Sequence, residues 1–515
     1  MTEKQKKPFF KSVRNYFKEY CKSTSIHGFQ YFGENRSYFE RTWWFIVFTI
    51  TLSSCIYAIL QVYDKWIRSP VIVTFATQET PIYSIPFPAV TICPESKSNP
   101  NEYRHIEMVQ KFANNKSLTA KEKVLLKYMS LVCDDSGFIQ LPDSDYIDEN
   151  IYSALSSFNS QYPLFSCNYM GKKYECKDIF VPIVTDEGIC YSFNILDRSE
   201  IYKDIVQYNL DFHKTSQYSN NQWSIEKGYT EDAGLDAYPR RALLSGVSNA
   251  LTVRFVTLSY EVDKSCKSGF QGFKVSLHLP SRIPQPSQEY FRIPDNQAVM
   301  AAVSPNMIKT SKALTNYDVK KRKCYFSYER NLKFFRVYTL LNCKMECLTN
   351  FTLQYCGCVG FYMPRENSTK ICGWAKQICM KEAESKLQLL SLRKLLDCNC
   401  LPMCSDLSYN TESSQCGWDW VSALFAPIEN SSDAFILDQS LIASSKLVVF
   451  FKKSDLIFSE RNELYGPLDF LANFGGLLGL FTGFSLLSLM EIVYFLSLRI
   501  IFNKRMYGYW AGKDN

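Results

Sequence analysis

The chain has 515 residues, which is enough for more than one domain and a sizeable hydrophobic core, and its formal charge of +7 is modest for that length. Nineteen cysteines, 15% aromatic residues and a slightly negative mean hydropathy predict a large polar folded body with few membrane spans. The four histidines, at 27, 105, 213 and 278, show no metal-ligand or nucleophile–base spacing, and no phosphate-binding glycine loop precedes a helix. An enzyme is therefore disfavoured, and neither a cofactor nor a bound metal is predicted.

The N-terminal tail is basic and runs directly into an apolar segment. Residues 1–42 carry nine Lys or Arg against four acids, and the apolar run extends from Trp43 to Val62 with Tyr63 at its far end. This arrangement matches the cytosolic flank of a membrane span and makes nucleic-acid binding a weak alternative. The run starts too late and is too long for a cleaved signal peptide, so we interpret it as a retained signal anchor, transmembrane helix 1 at 43–63.

Within the tail, Ser25 to Gly28 interrupt a helix-compatible basic stretch from Lys11 to Lys22. On its own, a His beside a Gly indicates an ordinary loop. Because His27 and Gly28 precede the first span on its cytosolic side, a role at the inner mouth of a pore is the functional alternative.

Residues 64–465 are predicted to be an extracellular domain, since disulfides persist in an oxidising space. Strands are predicted at 71–94, 179–194, 272–284 and 445–454, and helices at 118–132 and 383–397. Four sequons predict glycosylation at Asn115, Asn350, Asn367 and Asn430.

Ten cysteines fall between Cys324 and Cys404. Zinc binding is the competing explanation for the pairs Cys356/Cys358 and Cys398/Cys400. These pairs have C-x-C spacing rather than C-x₂-C, and the block contains no histidine. Disulfides are therefore predicted.

The second span is predicted at 466–499, followed by a cytosolic C-terminal tail at 500–515. At about 100° per residue, Ala472, Gly476, Gly479 and Gly483 share one narrow helical face, and the carboxylate Glu491 lies in the same apolar run. Small residues and an ionisable group at membrane depth together favour a pore wall. The alternative is an inert glycine-packed bundle in which Glu491 reaches water at the inner edge.

Several motifs in order resemble the degenerin and epithelial sodium channel family, and within it the insect pickpocket-type channels. They cover nearly the whole chain and are SIHG at 25–28, FPAVTICP at 87–94, EGICYSFN at 187–194, GFKVSLHLP at 272–280, KCYFSYERNLKFFRVYTLLNCKMEC at 323–347, CNCLPMC at 398–404 and GGLLGLFTGFSLLSLMEIVYF at 475–495. The resemblance implies a trimeric, amiloride-type, non-voltage-gated sodium channel with two transmembrane helices per subunit and a large disulfide-rich α+β extracellular domain. Sodium would be the permeant ion, and the partners would be membrane lipid, two identical or related subunits and an extracellular ligand.

Residue by residue, the resemblance places Gly483, Phe484 and Ser485 on the Gly-x-Ser selectivity filter, where Phe484 departs from the usual small residue. It places His27 and Gly28 on the cytosolic gating motif and Ala472 on the site where a small residue permits closure. Gly476, Gly479 and Glu491 are added as pore and gate residues.

The resemblance also implies seven disulfides: Cys93–Cys190, Cys167–Cys176, Cys324–Cys404, Cys343–Cys400, Cys347–Cys398, Cys356–Cys379 and Cys358–Cys372. Cys133, Cys266 and Cys416 are left over, and one of them is expected to be free or to bridge subunits. Two rival interpretations stay open at this point. In the first, the chain is a cysteine-rich surface receptor with two anchors that conducts no ions. In the second, it is a trimeric nucleotide-gated channel of the same topology.

Overall fold

The computed structural model describes residues 9–68, 71–101, 103–133, 145–158, 162–207, 212–214, 221–263, 266, 269–425, 441–464 and 466–511. The chain divides into two compact units. The terminal unit consists of Met1–Ile72 and Asn462–Asn515, and the central unit is Val73–Arg461. The basic residues before Phe9 and the sequon at Asn430 lie outside the described residues.

The helices, in chain order, are α1 Phe9–Ser23, α2 Gln30–Gly33, α3 Tyr38–Arg68, α4 His105–Ala113, α5 Ala120–Val132, α6 Asn150–Phe158, α7 Cys176–Ile179, α8 Arg198–Ile201, α9 Val319–Arg322, α10 Leu340–Cys356, α11 Gln377–Leu392, α12 Trp420–Phe425, α13 Pro467–Thr482, α14 Leu486–Leu496 and α15 Leu498–Tyr507.

The strands, in chain order, are β1 Val71–Phe75, β2 Thr80–Pro81, β3 Ala89–Pro94, β4 Tyr146–Ile147, β5 Leu164–Tyr169, β6 Lys172–Tyr174, β7 Phe180–Thr185, β8 Gly188–Phe193, β9 Trp223–Ser224, β10 Gly228–Tyr229, β11 Leu251–Leu258, β12 Phe273–His278, β13 Phe291–Ile293, β14 Gln297–Thr310, β15 Ile371–Cys372, β16 Asp406–Gly417, β17 Ile442–Phe451, β18 Asp455–Leu456 and β19 Ser459–Glu463.

Two helical segments of the terminal unit, Tyr38–Arg68 and Leu486–Tyr507, are long and apolar enough to cross a membrane. In α3 only Cys55 is fully buried among the helix residues, and its other apolar side chains stay partly or largely exposed in the single chain. That exposure fits a helix whose surroundings are lipid or other protein rather than its own core. The boundaries of the spans along the membrane normal stay a prediction.

The central unit is built on an eight-stranded sheet in the order β1-β19-β14-β17-β11-β5-β6, with β16 paired to β14. β14 organises this sheet: it pairs with β16 in antiparallel fashion along twelve residues, with β17 in parallel fashion over Ala298–Val303, and with β19 over Ile308–Thr310. Its buried side chains, Val299, Ala301 and Val303, alternate along the strand, so one face of β14 covers the core.

A second, five-stranded sheet in the order β13-β12-β3-β8-β7 packs its apolar side chains into the same core. Phe255 of β11 and Phe273 of β12 stack across the two sheets with ring centroids 4.3 Å apart. Three of the sequence motifs form neighbouring strands here, since FPAVTICP is β3, EGICYSFN is β8 and GFKVSLHLP is β12. These motifs therefore build a hydrophobic core.

The extended segments predicted at 71–94, 179–194, 272–284 and 445–454 contain strands, and the helix predicted from Leu118 is α5. The helix predicted at 383–397 differs in its limits, because α11 begins at Gln377 and ends at Leu392. It stops there because Lys394 adopts a left-handed conformation, with φ +55°, before the chain reaches Cys398.

The structure pairs all seven cysteine couples that the resemblance implies. It adds an eighth, Cys133–Cys266, which ties the end of α5 to a segment 133 residues later. Cys416 is a free, exposed thiol on β16, so it is the odd cysteine among the three left over. Asn115, Asn350 and Asn367 are exposed, as glycosylation would require.

Candidate functional site

The second span predicted at 466–499 is not one continuous helix, because residues 483–485 separate α13 from α14 and Ser497 separates α14 from α15. α13 ends at Thr482, and Gly483 then adopts the left-handed conformation with φ +65°. Its backbone N–H donates to the carbonyl oxygen of Gly479 (2.9 Å), and the N–H of Phe484 donates to that of Leu478 (3.4 Å). This is a glycine C-cap, in which the absence of a β-carbon permits the turn.

Helix α14 starts immediately afterwards with its own N-cap. The Ser485 hydroxyl accepts from the N–H of Ser488 (3.3 Å), and the Ser488 hydroxyl accepts from the N–H of Ser485 (3.1 Å). The break is thus capped on both sides and coincides with the predicted filter residues 483–485. Carbonyl groups outside a helix at membrane depth must be satisfied by protein, water or ions, and the carboxyl end of α13 adds partial negative charge that favours a cation.

The N-terminal tail contacts this break directly. The N–H of His27 donates to the carbonyl oxygen of Thr482 (2.9 Å), the last residue of α13. A β-carbon placed on Gly483 would lie 2.8 Å from three ring atoms of His27, closer than real β-carbons approach. Glycine is therefore required at 483 for two independent reasons, the backbone conformation and the imidazole ring.

Gly28 also needs its lack of a side chain. Its φ is +89°, a region that L side chains rarely adopt, although a β-carbon there would meet only Phe48 at an ordinary 3.5 Å. The turn at Gly28 places His27 against the break and returns the chain toward α3.

A second contact joins the tail to α14. The Ser25 hydroxyl lies 2.7 Å from the hydroxyl of Ser488, which is fully buried, and the Ser25 N–H donates to Oε2 of Glu491 (3.1 Å). In the described part of the chain the Glu491 carboxylate thus serves as an acceptor for the tail. The sequence analysis assigned Glu491 to the pore and missed the roles of Ser25 and Ser488. The local signals were weak: Ser25 lies close to the His-Gly pair, and Ser488 is a serine within an apolar run.

Helix α13 has two distinct sides. Phe470 stacks on Trp66 of α3 (5.0 Å between centroids), and the Leu477 carbonyl lies 3.8 Å from the Cys55 sulfur. Ala472, Gly476 and Gly479 fall on the opposite side, as the helical period requires. A β-carbon added to Gly476 would meet no described atom within 4 Å, and one added to Gly479 would meet the Phe484 carbonyl oxygen at an ordinary 3.9 Å, so the described residues leave room along this side. Gly483, predicted to continue that face, leaves it because it ends the helix.

The C-terminal end of the second span packs on α1. The Tyr16 hydroxyl donates to the carbonyl oxygen of Phe495 (2.5 Å), the rings of Tyr20 and Phe495 lie 5.3 Å apart, and Arg499 forms an ion pair with Glu19. The tail therefore touches both α14 and the residues that follow it.

Two histidines of the central unit lie in its core. Oγ1 of Thr91 lies 2.9 Å from Oγ of Ser192 and 2.8 Å from Nε2 of His278, whose Nδ1 lies 3.0 Å from the Leu279 carbonyl oxygen. These residues join the three motif strands. Burial lowers the pKa of His278 to about 4, and burial likewise lowers the pKa of His213 to about 4, so both rings are neutral at pH 7.

The family model described as "Amiloride-sensitive sodium channel" matches residues 20–495, which includes the tail contact, both spans and the central unit. The chain belongs to the amiloride-sensitive sodium channel family. The resemblance to degenerin and epithelial sodium channels inferred from the motifs is confirmed, and the family consists of ion channels, not enzymes.

Among relatives of this family, Pickpocket protein 28 of Drosophila melanogaster is 28% identical over 501 residues, covering 93% of this chain and 78% of its own length. Sodium channel protein Nach of the same species is 21% identical and covers 95% of this chain and 88% of its own. Acid-sensing ion channel 2 of Danio rerio is 22% identical, covering 79% and 69%. A solved proton-activated chloride channel covers 88% of this chain at 8% identity with a TM-score of 0.25, which supports no inference.

Membership in this family fixes the coarse architecture. The protein is a plasma-membrane channel protein with two transmembrane helices and a large, disulfide-rich extracellular domain of mixed α and β structure, and members of the family assemble as multimers. The individual roles of the filter, gate and tail residues stay predictions.

Proposed function

We propose that this chain is one subunit of a trimeric, non-voltage-gated, amiloride-type channel that selects sodium, with both termini in the cytosol. One observation carries the proposal: the second span is broken and doubly capped at Gly483–Ser485, and the N-terminal tail binds that break. The names of the family and of the Nach relative support sodium as the ion and amiloride as the blocker.

The permeation path follows from the broken helix. In three copies around one axis, the uncovered small-residue side of α13 would let the helices approach closely. The non-helical residues 483–485 would then contribute backbone carbonyls that replace part of the hydration shell of sodium. The bulk of Phe484 distinguishes this filter from one built of small residues.

Gating is assigned to the tail. The His27 N–H donates to the Thr482 carbonyl oxygen, and the imidazole ring covers Gly483. Movement of the tail therefore changes the position of the filter without placing a side chain in the ion path. An extracellular stimulus, whether a chemical, peptide, acid, osmotic or mechanical one, would act on the central unit and shift the equilibrium between closed and open states.

Voltage clamp of cells that express the chain alone and with related subunits tests the function. A sodium current that is blocked by amiloride, unaffected by extracellular nucleotide and lost on sodium substitution supports the proposal. Surface protein that passes no current under either condition supports the non-conducting receptor. A current that appears only when extracellular nucleotide is present supports the nucleotide-gated alternative.

Substitution at the break tests the filter and the tail contact together. Gly483→Ala should reduce the current by about tenfold or more, since it combines a left-handed alanine with a clash against His27, each of order 1 kcal/mol or more. Gly508→Ala is a matched control: Gly508 also caps a helix, α15, with φ +67°, but a β-carbon there meets no described atom. Equal effects of the two substitutions would remove the His27 contact from the mechanism.

His27→Ala separates gating from conduction. It should lower the open probability and leave the single-channel current and the sodium-to-potassium permeability ratio unchanged, because the hydrogen bond to Thr482 comes from the backbone and the ring lies beside the filter. In the His27→Ala background, Gly483→Ala should cost less than it does in wild type. A changed permeability ratio in His27→Ala would place the ring in the ion path instead.

A further inference from the structure

Helix α1 carries an exposed apolar row on the surface of the terminal unit. Phe10 is 86% exposed, Val13 40% and Phe17 47%, and their spacing of i, i+3 and i+7 places them on one side of the helix. Large aromatic side chains that are aligned and exposed in this way mark a surface that binds another molecule or a membrane.

A second row of cationic residues runs beside it. Lys11, Arg14 and Lys18 have the same i, i+3, i+7 spacing, and one step of about 100° separates them from the apolar row. A helix with one aromatic face and one Lys/Arg face is the pattern of segments that lie in the membrane interface.

The remaining side of α1 is already occupied, which fixes the orientation of both rows. Tyr16 contacts Phe495 through its ring and hydroxyl, and the Ser12 hydroxyl accepts a hydrogen bond from that of Tyr509 (2.8 Å). Ser12 is 5% exposed. Phe10 meets the packed side through the ring of Phe9 (6.2 Å between centroids), but the exposed surface of the apolar row is left for a different occupant.

We propose that α1 lies in the cytosolic leaflet of the bilayer, with Phe10, Val13 and Phe17 among the acyl chains and Lys11, Arg14 and Lys18 on anionic phospholipid headgroups. Lipid is favoured over another protein surface because α1 packs on Phe495, which belongs to a membrane-spanning segment, and because it ends at Ser23, shortly before α3 begins at Tyr38. The bilayer is thus within reach, and its inner surface is negatively charged. This inference rests on the cytosolic position of the tail under the proposed function.

Lipid binding at α1 also bears on the filter. Ser25 and His27, which hold Glu491 and Thr482, follow the end of α1 directly in sequence. An interaction that fixes α1 at the membrane surface therefore restrains the same tail that covers Gly483, and anionic lipid becomes a regulator of the open probability.

Photo-crosslinking of the full chain in nanodiscs tests the placement. A benzophenone amino acid is incorporated at Phe10 or Phe17 and, as a control, at Asn15, an exposed position on the polar side of α1. Nanodiscs of phosphatidylcholine with phosphatidylserine should give several-fold more phospholipid adduct at positions 10 and 17 than at 15. Equal lipid yields at the three positions, or adducts to a second copy of the chain at 10 and 17, would overturn the proposal.

The charge requirement is tested with Lys11→Gln, Arg14→Gln and Lys18→Gln combined. For wild type, the adduct yield at position 17 should rise when phosphatidylserine is added. Three cationic side chains together are worth about a hundredfold in binding to an anionic surface, so the triple variant should lose that rise. Persistence of the rise in the triple variant would contradict the headgroup contacts. These readouts need no ionic current, so a failure of the channel proposal and a failure of this one are told apart.

Discussion

The two units of the chain are stabilised in different ways. The central unit buries large side chains completely, among them Phe87, Phe193, Phe255 and Phe451, and every disulfide in the described residues lies within it. The terminal unit leaves large apolar side chains such as Leu471 and Leu480 mostly exposed, and its fully buried positions are few and small, such as Cys55 and Ser488.

This difference predicts where a mutation becomes visible. A central-unit residue interacts with partners in the same chain, so its loss should lower the stability of the folded protein. The apolar surface of the terminal unit must be covered by lipid and by other subunits, so a change there should alter conduction or gating at nearly unchanged stability. Substitutions in each unit therefore test that division.

Removal of the Cys133–Cys266 disulfide should have the largest effect. The pair closes a loop of 133 residues between buried cysteines, and the chain-entropy relation gives about 5 kcal/mol for a loop of that length. The double variant Cys133→Ser and Cys266→Ser should therefore lose most of its folded surface protein at 37 °C, measured by surface labelling and thermal unfolding in detergent.

Cys416→Ser is the control for that loss. Cys416 is a free and exposed thiol on β16 of the same unit, so its replacement should leave the unfolding temperature unchanged. If both variants destabilise equally, the effect comes from the serine substitutions and not from the loop.

Acid should destabilise the central unit through its buried histidines. The pKa of His278 and that of His213 fall from the ordinary 6.5 to about 4 on folding, a difference worth about 3 kcal/mol for each ring. Because the depressed pKa means that the folded state excludes the proton, this stability is present above pH 6.5 and is lost as the pH falls toward 4. Thermal unfolding of the full chain between pH 7 and 4 measures it.

His278→Gln gives the matched comparison. The amide can replace the contact of Nε2 with Thr91, but it does not titrate. The variant should lose the share of the pH dependence between pH 6.5 and 4 that belongs to this ring, about 3 kcal/mol. An undiminished pH dependence in this variant would mean that His278 does not contribute to acid destabilisation.

The motif strands β3, β8 and β12 could be predicted from the sequence, since they are short apolar runs rich in β-branched and aromatic residues. The central strand β14 was missed. Its sequence, QAVMAAVSPNMIKT, combines three alanines, two methionines and Pro305, and its partner β16 is polar. These strands form because they pair with segments far away in sequence, which no local pattern encodes.

The same limit applied to the site. The helical pattern placed Gly483 on a continuous face, and only the family resemblance assigned residues 483–485 to a filter, whereas the structure shows a break there that a glycine and a serine cap. The hydrogen bond from Ser25 to Glu491 joins residues 466 positions apart, and neither residue predicts the other as its partner. Cys133 and Cys266 were likewise left without an assigned partner in the sequence, and their pairing depends on the packing of α5.

In the terminal unit, Ala472→Val should change gating. The Ala472 side of α13 faces away from α3, and in the proposed trimer three such helices approach one another when the pore is closed. An added side-chain volume at a packed interface costs about 1 to 3 kcal/mol, enough to shift a mostly closed population toward the open state. The expected result is a constitutive sodium leak at unchanged surface expression.

Leu471→Val is the control on the same helix, since Leu471 is 62% exposed and lies about 100° around the helix from Ala472. It should leave the open probability near that of wild type. A leak of equal size in both variants, or none in Ala472→Val, would remove Ala472 from the closed-state contact.

The smallest predicted effect concerns the helix N-cap hydroxyl, which occurs in both units. Thr119 in the central unit and Ser485 in the terminal unit are both helix N-caps whose hydroxyl accepts from the N–H three residues later, Glu122 and Ser488 respectively. Replacing either cap with Ala should cost about 1 kcal/mol. Thr119→Ala should lower the unfolding temperature by about 2 °C and leave the sodium-to-potassium permeability ratio unchanged.

Ser485→Ala should do the reverse, although it removes the same type of hydrogen bond. Its cap determines where α14 begins, so its loss moves the non-helical residues 483–485 that are predicted to contact the ion, while the core of the central unit is untouched. The permeability ratio should therefore change at a constant unfolding temperature, and Ser485→Thr, which keeps a capping hydroxyl, should change it less. If Ser485→Ala only lowers stability, or Thr119→Ala alters permeability, the division between a unit that stabilises and a unit that conducts is wrong, because equal local losses would then have equal consequences in both.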